Sequence, residues 1–195
     1  MPTARRSEAR DRVLATASAL FYAEGITSVG IDRIVKAAPV TLATLYRHFP
    51  TKQDLVVAYL RGVHDLIAAQ AAATTARAGG RELVQALRDD VTAEIARPGF
   101  RGCAFINAAS EFQDPDDPVR TTVAEHRRWY FELIRKAFDD AGHARPAHAA
   151  RHFVMLRDGA MSAAYLDTPT AATRTFRRGV DGLIASIDLG PIVAD

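Results

Sequence analysis

An all-α protein is the fold class this sequence predicts, and three observations carry the prediction. Apolar residues recur at spacings of three and four through most of the chain, beginning with Val13, Ala17, Leu20 and Phe21. The apolar/polar alternation of a half-buried strand is scarce, whereas alanine, the best helix former, is abundant. Hydrophobic residues make up 48% of the 195 positions and charged ones 25%, a balance that supports a globular core. The pattern resolves into about nine helices, three short ones followed by a larger bundle.

The first stripe, Val13 to Phe21, is one face of an amphipathic helix that Gly25 is placed to end. Ile31, Ile34, Val35 and Ala38 describe a helix of about two turns, stopped by Pro39, which lacks a backbone N–H and disfavours helix at Ala38. Thr41 is placed to cap a short helix running from about Thr41 to His48. Thr51, with Asp54 three residues later, opens a much longer helix through Leu55, Tyr59, Val63 and Ile67 to about Arg77, where "AGG" breaks it. Leu83, Leu87, Val91 and Ile95 share the face of the next helix, before "RPGFRG". A short helix then holds "CAFINAASEF", and "QDPDDP" forms a turn. A long helix carries Val119, Val123, Trp129, Leu133 and Ile134 and ends near Gly142. The last two are "AHAARHFVMLRDGAMSAAYLD" and "AATRTFRRGVDGLIASI". A boundary is expected between residues 50 and 51, separating a small head from a helical body, 51–195.

Composition narrows the function classes. No apolar run approaches the roughly 18 residues a membrane-spanning helix needs, and the N-terminus lacks the apolar centre of a secretion signal. The one cysteine, Cys103, can form no internal disulfide, which fits a cytoplasmic protein. It is expected to be a buried structural thiol. No nucleophile–base constellation and no glycine-rich phosphate loop is present, so neither catalysis nor a cofactor is expected. His148 and His152 lie four apart, but no HExxH pair occurs and no metal is expected. Glu111, Asp114, Asp116 and Asp117 lack the spacing of a calcium loop and read as a turn with helix caps.

Charge is distributed unevenly. The formal net charge is +2, yet residues 1–52 hold eight basic side chains against four acidic ones. A basic head on a mildly acidic body is the asymmetry of a nucleic-acid binder. Within that head, "TLATLYRHFPTKQDL" concentrates hydrogen-bond donors on a short helix that has Leu45 and Phe49 as its apolar anchors. Two short helices joined by a tight turn, the second rich in donors, describe a helix-turn-helix whose second helix enters the major groove. Thr41, Leu42, Ala43 and Arg47 are expected to face outward. A solvated helix face is the alternative.

The segment "LFYAEGITSVGIDRIVKAAPVTLATLYRHFPTKQDLVVAYL", residues 20–60, resembles the DNA-binding part of the TetR family of bacterial transcriptional regulators. "LF" and "EG" at the end of the first helix, Ile34 and Ala37–Ala38 in the second, and "TLYRHFPTKQDL" carry the likeness. The resemblance implies phosphate contacts for Thr44, Tyr46, His48 and Lys52, and base contacts for Thr41, Leu42, Ala43 and Arg47. It also implies palindromic operator DNA, a small-molecule effector and a homodimer as partners. This chain has Pro39 where the family usually has glycine, and Gly30 where it usually has a hydroxyl residue. Arg5, Arg6 and Arg10 are candidates to compensate.

Gly159, Ala160, Ala163 and Ala164 allow close helix approach, and Leu183, Ile184 and Ile187 supply an apolar stripe. Together they are the expected dimer interface, the alternative being closure of the chain's own core. A ligand site is expected from Phe105, Asn107, Phe112, His126, Trp129, Tyr130 and Leu133, with Leu60 and His64 of the long helix beside them. No basic cluster is evident there, so the lining suits a mostly apolar molecule. The resulting expectation is a regulator, and more specifically a repressor that such a ligand releases. An architectural DNA binder without ligand, or a helical enzyme or carrier with a vestigial head, are the alternatives.

Overall fold

The computed structural model describes residues 8–189 and consists of α-helices joined by short turns, with no strand among the described residues. In order they are α1 (Glu8–Glu24), α2 (Ile31–Ala37), α3 (Leu42–His48), α4 (Lys52–Thr75), α5 (Gly80–Ile95), α6 (Ala104–Glu111), α7 (Pro118–Asp140), α8 (Pro146–Leu166) and α9 (Pro169–Ala185). A 3₁₀ turn, Ser186–Leu189, follows. Among the described residues no helix is long and apolar enough to cross a membrane. The chain forms two compact units. One comprises the residues up to Asp65 together with Ala104–Val123, and the other comprises Leu66–Cys103 with the residues from Ala124 onward. The sequence suggests a boundary at 50/51, just before α4; the compact units part within α4, between α5 and α6, and within α7.

In the first unit, α1, α2 and α3 pack on one another. Val13, Ala17 and Phe21 of α1 are buried, as are Ile26, Val29, Ile34, Ala38, Leu45 and Phe49. The Phe21 and Tyr59 rings lie 5.9 Å apart, adding an aromatic contact to this small core. Gly25 ends α1 at φ +93°, a left-handed conformation that costs a glycine little. Its N–H still donates to the Phe21 carbonyl, at 3.0 Å.

The turn after α2 holds Pro39, which supplies no backbone N–H to continue the helix. The short helix after it is capped as its sequence predicts, with Thr41 Oγ1 accepting from the Thr44 N–H at 3.1 Å. A reciprocal box opens α4. The Thr51 N–H donates to Asp54 Oδ2, and the Asp54 N–H donates to Thr51 Oγ1, both at 3.0 Å.

In the second unit, α8 and α9 run along each other and α5 packs against both. Gly179 permits the close approach of α9 to α8, since a Cβ there would meet Leu156 Cδ1 at 2.8 Å. Phe138, Phe153 and Phe176 form an edge-to-face series with centroid distances of 6.4 and 5.5 Å. Ion pairs join α5 to α9 as well: Arg88 of α5 pairs with Asp181 of α9, and Arg177 returns to Asp89 at 2.9 Å.

Candidate nucleic-acid interface

Helix α3 is seven residues long, too short to be stable alone in water. It is held by its cap and by two apolar anchors: Leu45 is fully buried and Phe49, just past its end, is 3% exposed. With those two residues inward, the helical period turns Thr41, Leu42, Ala43, Tyr46 and Arg47 outward, and all five are exposed. Thr44 and His48 are half-buried on the flanks of that face. The Thr41 and Thr44 hydroxyls are 2.8 Å apart, so the first turn of α3 presents a linked pair of hydroxyls.

The basic residues around α3 are not equally available. Arg10 of α1 lies over the Phe49 ring at 5.2 Å, placing its guanidinium beside the end of α3. Arg33 is engaged by Glu24 through two hydrogen bonds of 2.6 and 3.1 Å, an exposed pair that orients α2. Lys52 is half-buried, with its ammonium 6.0 Å from the Phe21 ring centroid. Burial lowers the Lys52 pKa from its ordinary value, and the nearby Glu111 carboxylate works against that shift. Arg5 and Arg6 fall outside the described residues.

The residues expected to bind a ligand separate between the two units. Leu60, His64, Phe105, Asn107 and Phe112 belong to the first unit. There Leu60 and Phe105 are buried core residues, while His64, Asn107 and Phe112 are half-buried. His126, Trp129, Tyr130 and Leu133 belong to the second unit, on successive turns of α7. The His126 ring is 5.6 Å from Trp129 and 6.3 Å from Tyr130. His126 and Tyr130 are buried, while Trp129 and Leu133 are half-buried.

Sequence reasoning missed the cation that stands in this second group. Arg157 of α8 is 6% exposed and lies over the Tyr130 ring at 5.1 Å, so the group is not devoid of positive charge. Its Nη2 donates to Cys103 Sγ at 3.4 Å and its Nη1 to Asp158 at 2.8 Å. Burial by itself would lower the Arg157 pKa, but Cys103, Tyr130 and Asp158 outweigh it and keep the guanidinium charged. Burial pushes the Tyr130 hydroxyl up to about 12, so it remains protonated. Cys103 is buried and free. Arg101, its neighbour in sequence, turns away to the Tyr165 ring at 5.0 Å.

The expected dimer residues fall into two groups. Ala160, Ala164 and Ile184 are 5–6% exposed in the single chain, so they already close the α8–α9 pair. Gly159 is exposed, and Ala163, Leu183 and Ile187 are half-buried. Gly159, Ala163 and Leu183 line an apolar groove of about 600 Å³ with Met155, Leu156 and Phe176. Met155 is 70% exposed in this groove.

Comparison with known proteins agrees with this geometry along the chain. Residues 13–59 match the family model for bacterial regulatory proteins, tetR family, and residues 80–180 match that for a tetracyclin repressor-like, C-terminal domain. A TetR-family transcriptional regulator from Streptomyces coelicolor is 45% identical with a TM-score of 0.89, covering 92% of this chain and 96% of that one. An HTH-type transcriptional regulator from Mycobacterium tuberculosis is 32% identical over 168 residues, covering 68% of this chain and 76% of the relative. A TetR regulator from Legionella pneumophila, 22% identical, shares the fold with a TM-score of 0.80 over 93% of this chain and 98% of that one. With a helix-turn-helix head and a helical C-terminal part that both match, the chain belongs to the TetR family of bacterial transcriptional regulators, and its head is DNA-binding.

Proposed function

We propose that this regulator is a repressor that works in the cytoplasm as a homodimer on a palindromic operator and is released by a small, mostly apolar ligand. The observation that carries the reading is the outward face of α3, where Thr41, Leu42, Ala43 and Arg47 are exposed over a buried Leu45. On that face Arg47 is the guanine reader, and Leu42 or Ala43 meets a thymine methyl. Thr44, Tyr46, His48 and Lys52 hold phosphates and set register. Lys52 reaches a phosphate only by extending from its half-buried site.

The apolar groove between α8 and α9 supports the homodimer. Water opposes a surface of this kind on a lone chain, and a twofold mate packed there would form a four-helix interface. Twofold symmetry in the protein then matches a palindrome in the DNA. The aromatic group of His126, Trp129 and Tyr130 supports a ligand with an apolar body, and Arg157 adds a partner for one polar group on it. Release is linkage: a ligand preferring the conformation that binds DNA poorly weakens DNA binding by the same factor with which DNA weakens ligand binding.

Sequencing the genomic fragments that the purified protein retains tests the reading. A shared palindrome upstream of genes is expected, bound with a steep salt dependence because each neutralised phosphate releases counterions. Fragments without a common motif would refute it. Trp129 is the only tryptophan, so an effector must change its emission over the concentrations that loosen operator binding.

A further inference from the structure

Glu111 is the last residue of α6, an awkward place for a carboxylate because the helix C-terminus already carries partial negative charge. Its side chain reaches the turn between α1 and α2, some 85 residues earlier in the chain. The Ile26 N–H donates to Oε1 at 3.0 Å, while the Thr27 N–H and hydroxyl donate to Oε2 at 2.6 and 2.7 Å. Ile26 and Val29 are plugged into the head's core, so this turn cannot shift without disturbing it. Gly25, just before this turn, holds φ +93°, a conformation that favours glycine.

A second brace comes from the same segment. Gln53, in the first turn of α4, donates to Asp117 Oδ2 at 2.7 Å, and Asp117 Oδ1 accepts from the Val119 N–H at the start of α7. Arg120 ties the two helices of the segment by donating to the Ala109 and Phe112 carbonyls at 3.1 and 3.3 Å. Residues 104–123 therefore grip the head at the turn before α2 and at the helix after α3. Burial alone would raise the Glu111 pKa, but hydrogen bonds from Thr27 and Ile26 and the charge of Lys52 outweigh it and keep the carboxylate ionised.

We propose that Glu111 is a positioning residue for operator binding. Its three hydrogen bonds set the α1–α2 turn, and with it the presentation of α2 and α3 to the major groove. The inference rests on the DNA-binding reading above. A carboxylate fits this place because it offers acceptors on both oxygens to convergent donors. An amide of the same shape turns one of those acceptors into a donor facing an N–H.

The test uses full-length wild type and Glu111→Gln, with a duplex the wild type selects from a random library and a scrambled duplex of equal length. Glu111→Gln is expected to stay folded, to exchange its Ile26 and Thr27 amides faster, and to bind the selected duplex about tenfold more weakly. Binding to the scrambled duplex should hold or strengthen, because a carboxylate that touches the basic head has been neutralised. The specificity ratio therefore falls, which general destabilisation does not produce. An unchanged ratio, whether both affinities hold or both fall together, would overturn the proposal. Should Glu111→Gln unfold, Thr27→Val removes only the hydroxyl donor and must lower the same ratio by a smaller factor; no change there is equally fatal. A wild-type chain that selects no sequence removes the DNA reading itself, and this inference with it.

Discussion

Helix α3 and the α8–α9 pair present opposite surfaces, and each is made possible by how its helices are held. The seven residues of α3 rely on Thr41, Leu45 and Phe49, which leaves the outer face free for hydroxyls, a phenol and a guanidinium. The 21 residues of α8 and the 17 of α9 have ample core of their own and still expose Met155 and a groove of small and apolar side chains. A surface of donors anchored from below suits a polar, charged partner. A surface that water disfavours suits a partner that excludes water.

Substitution in the apolar groove should have the larger effect. Ala163→Glu puts a carboxylate into the groove, and the expected outcome is a folded monomer whose operator affinity falls by about a hundredfold, because the second half-site is no longer tethered. Sedimentation and operator titration check it. A wild-type chain that sediments as a monomer at micromolar concentration would show that the groove has another purpose.

On the donor side, Arg47→Ala should cost about 1–3 kcal/mol of operator binding and relax base preference at one position in each half-site. Selection of duplexes by the variant reads both effects at once. Unchanged affinity and preference would place the base-reading face elsewhere.

A smaller effect tests how the head is held. Thr51→Ala removes the hydroxyl from the box that opens α4, and a loss of about 1 kcal/mol in unfolding free energy is expected from denaturant melts.

These regions also differ in how far the sequence alone discloses them. The head was legible residue by residue, since its signals are local: Gly25 after an apolar stripe, Thr41 and Thr51 at caps, and Leu45 and Phe49 as anchors beneath a donor-rich face. The body was legible only as a series of helices. Small residues in α8 share a face, but periodicity cannot say whether that face meets the chain's own α9 or another molecule. The tertiary structure buries Ala164 and Ile184 within the chain, and places Ala160, though buried, with Gly159, Ala163 and Leu183 along the groove. Glu111 read as part of an acidic turn; its one local hint was a carboxylate at a helix C-terminus, where only a donor from elsewhere makes it comfortable.

By itself the sequence determined the all-α class, the order of the helices and the donor-bearing face of α3, because helical period, caps and breakers act over a few residues. Only the tertiary structure decided that Glu111 grips the turn at Ile26 and Thr27, and that Arg157 reaches Cys103 across 54 positions. Such pairings depend on how helices cross and how deep each side chain is buried. No pattern of spacing along a single helix encodes either.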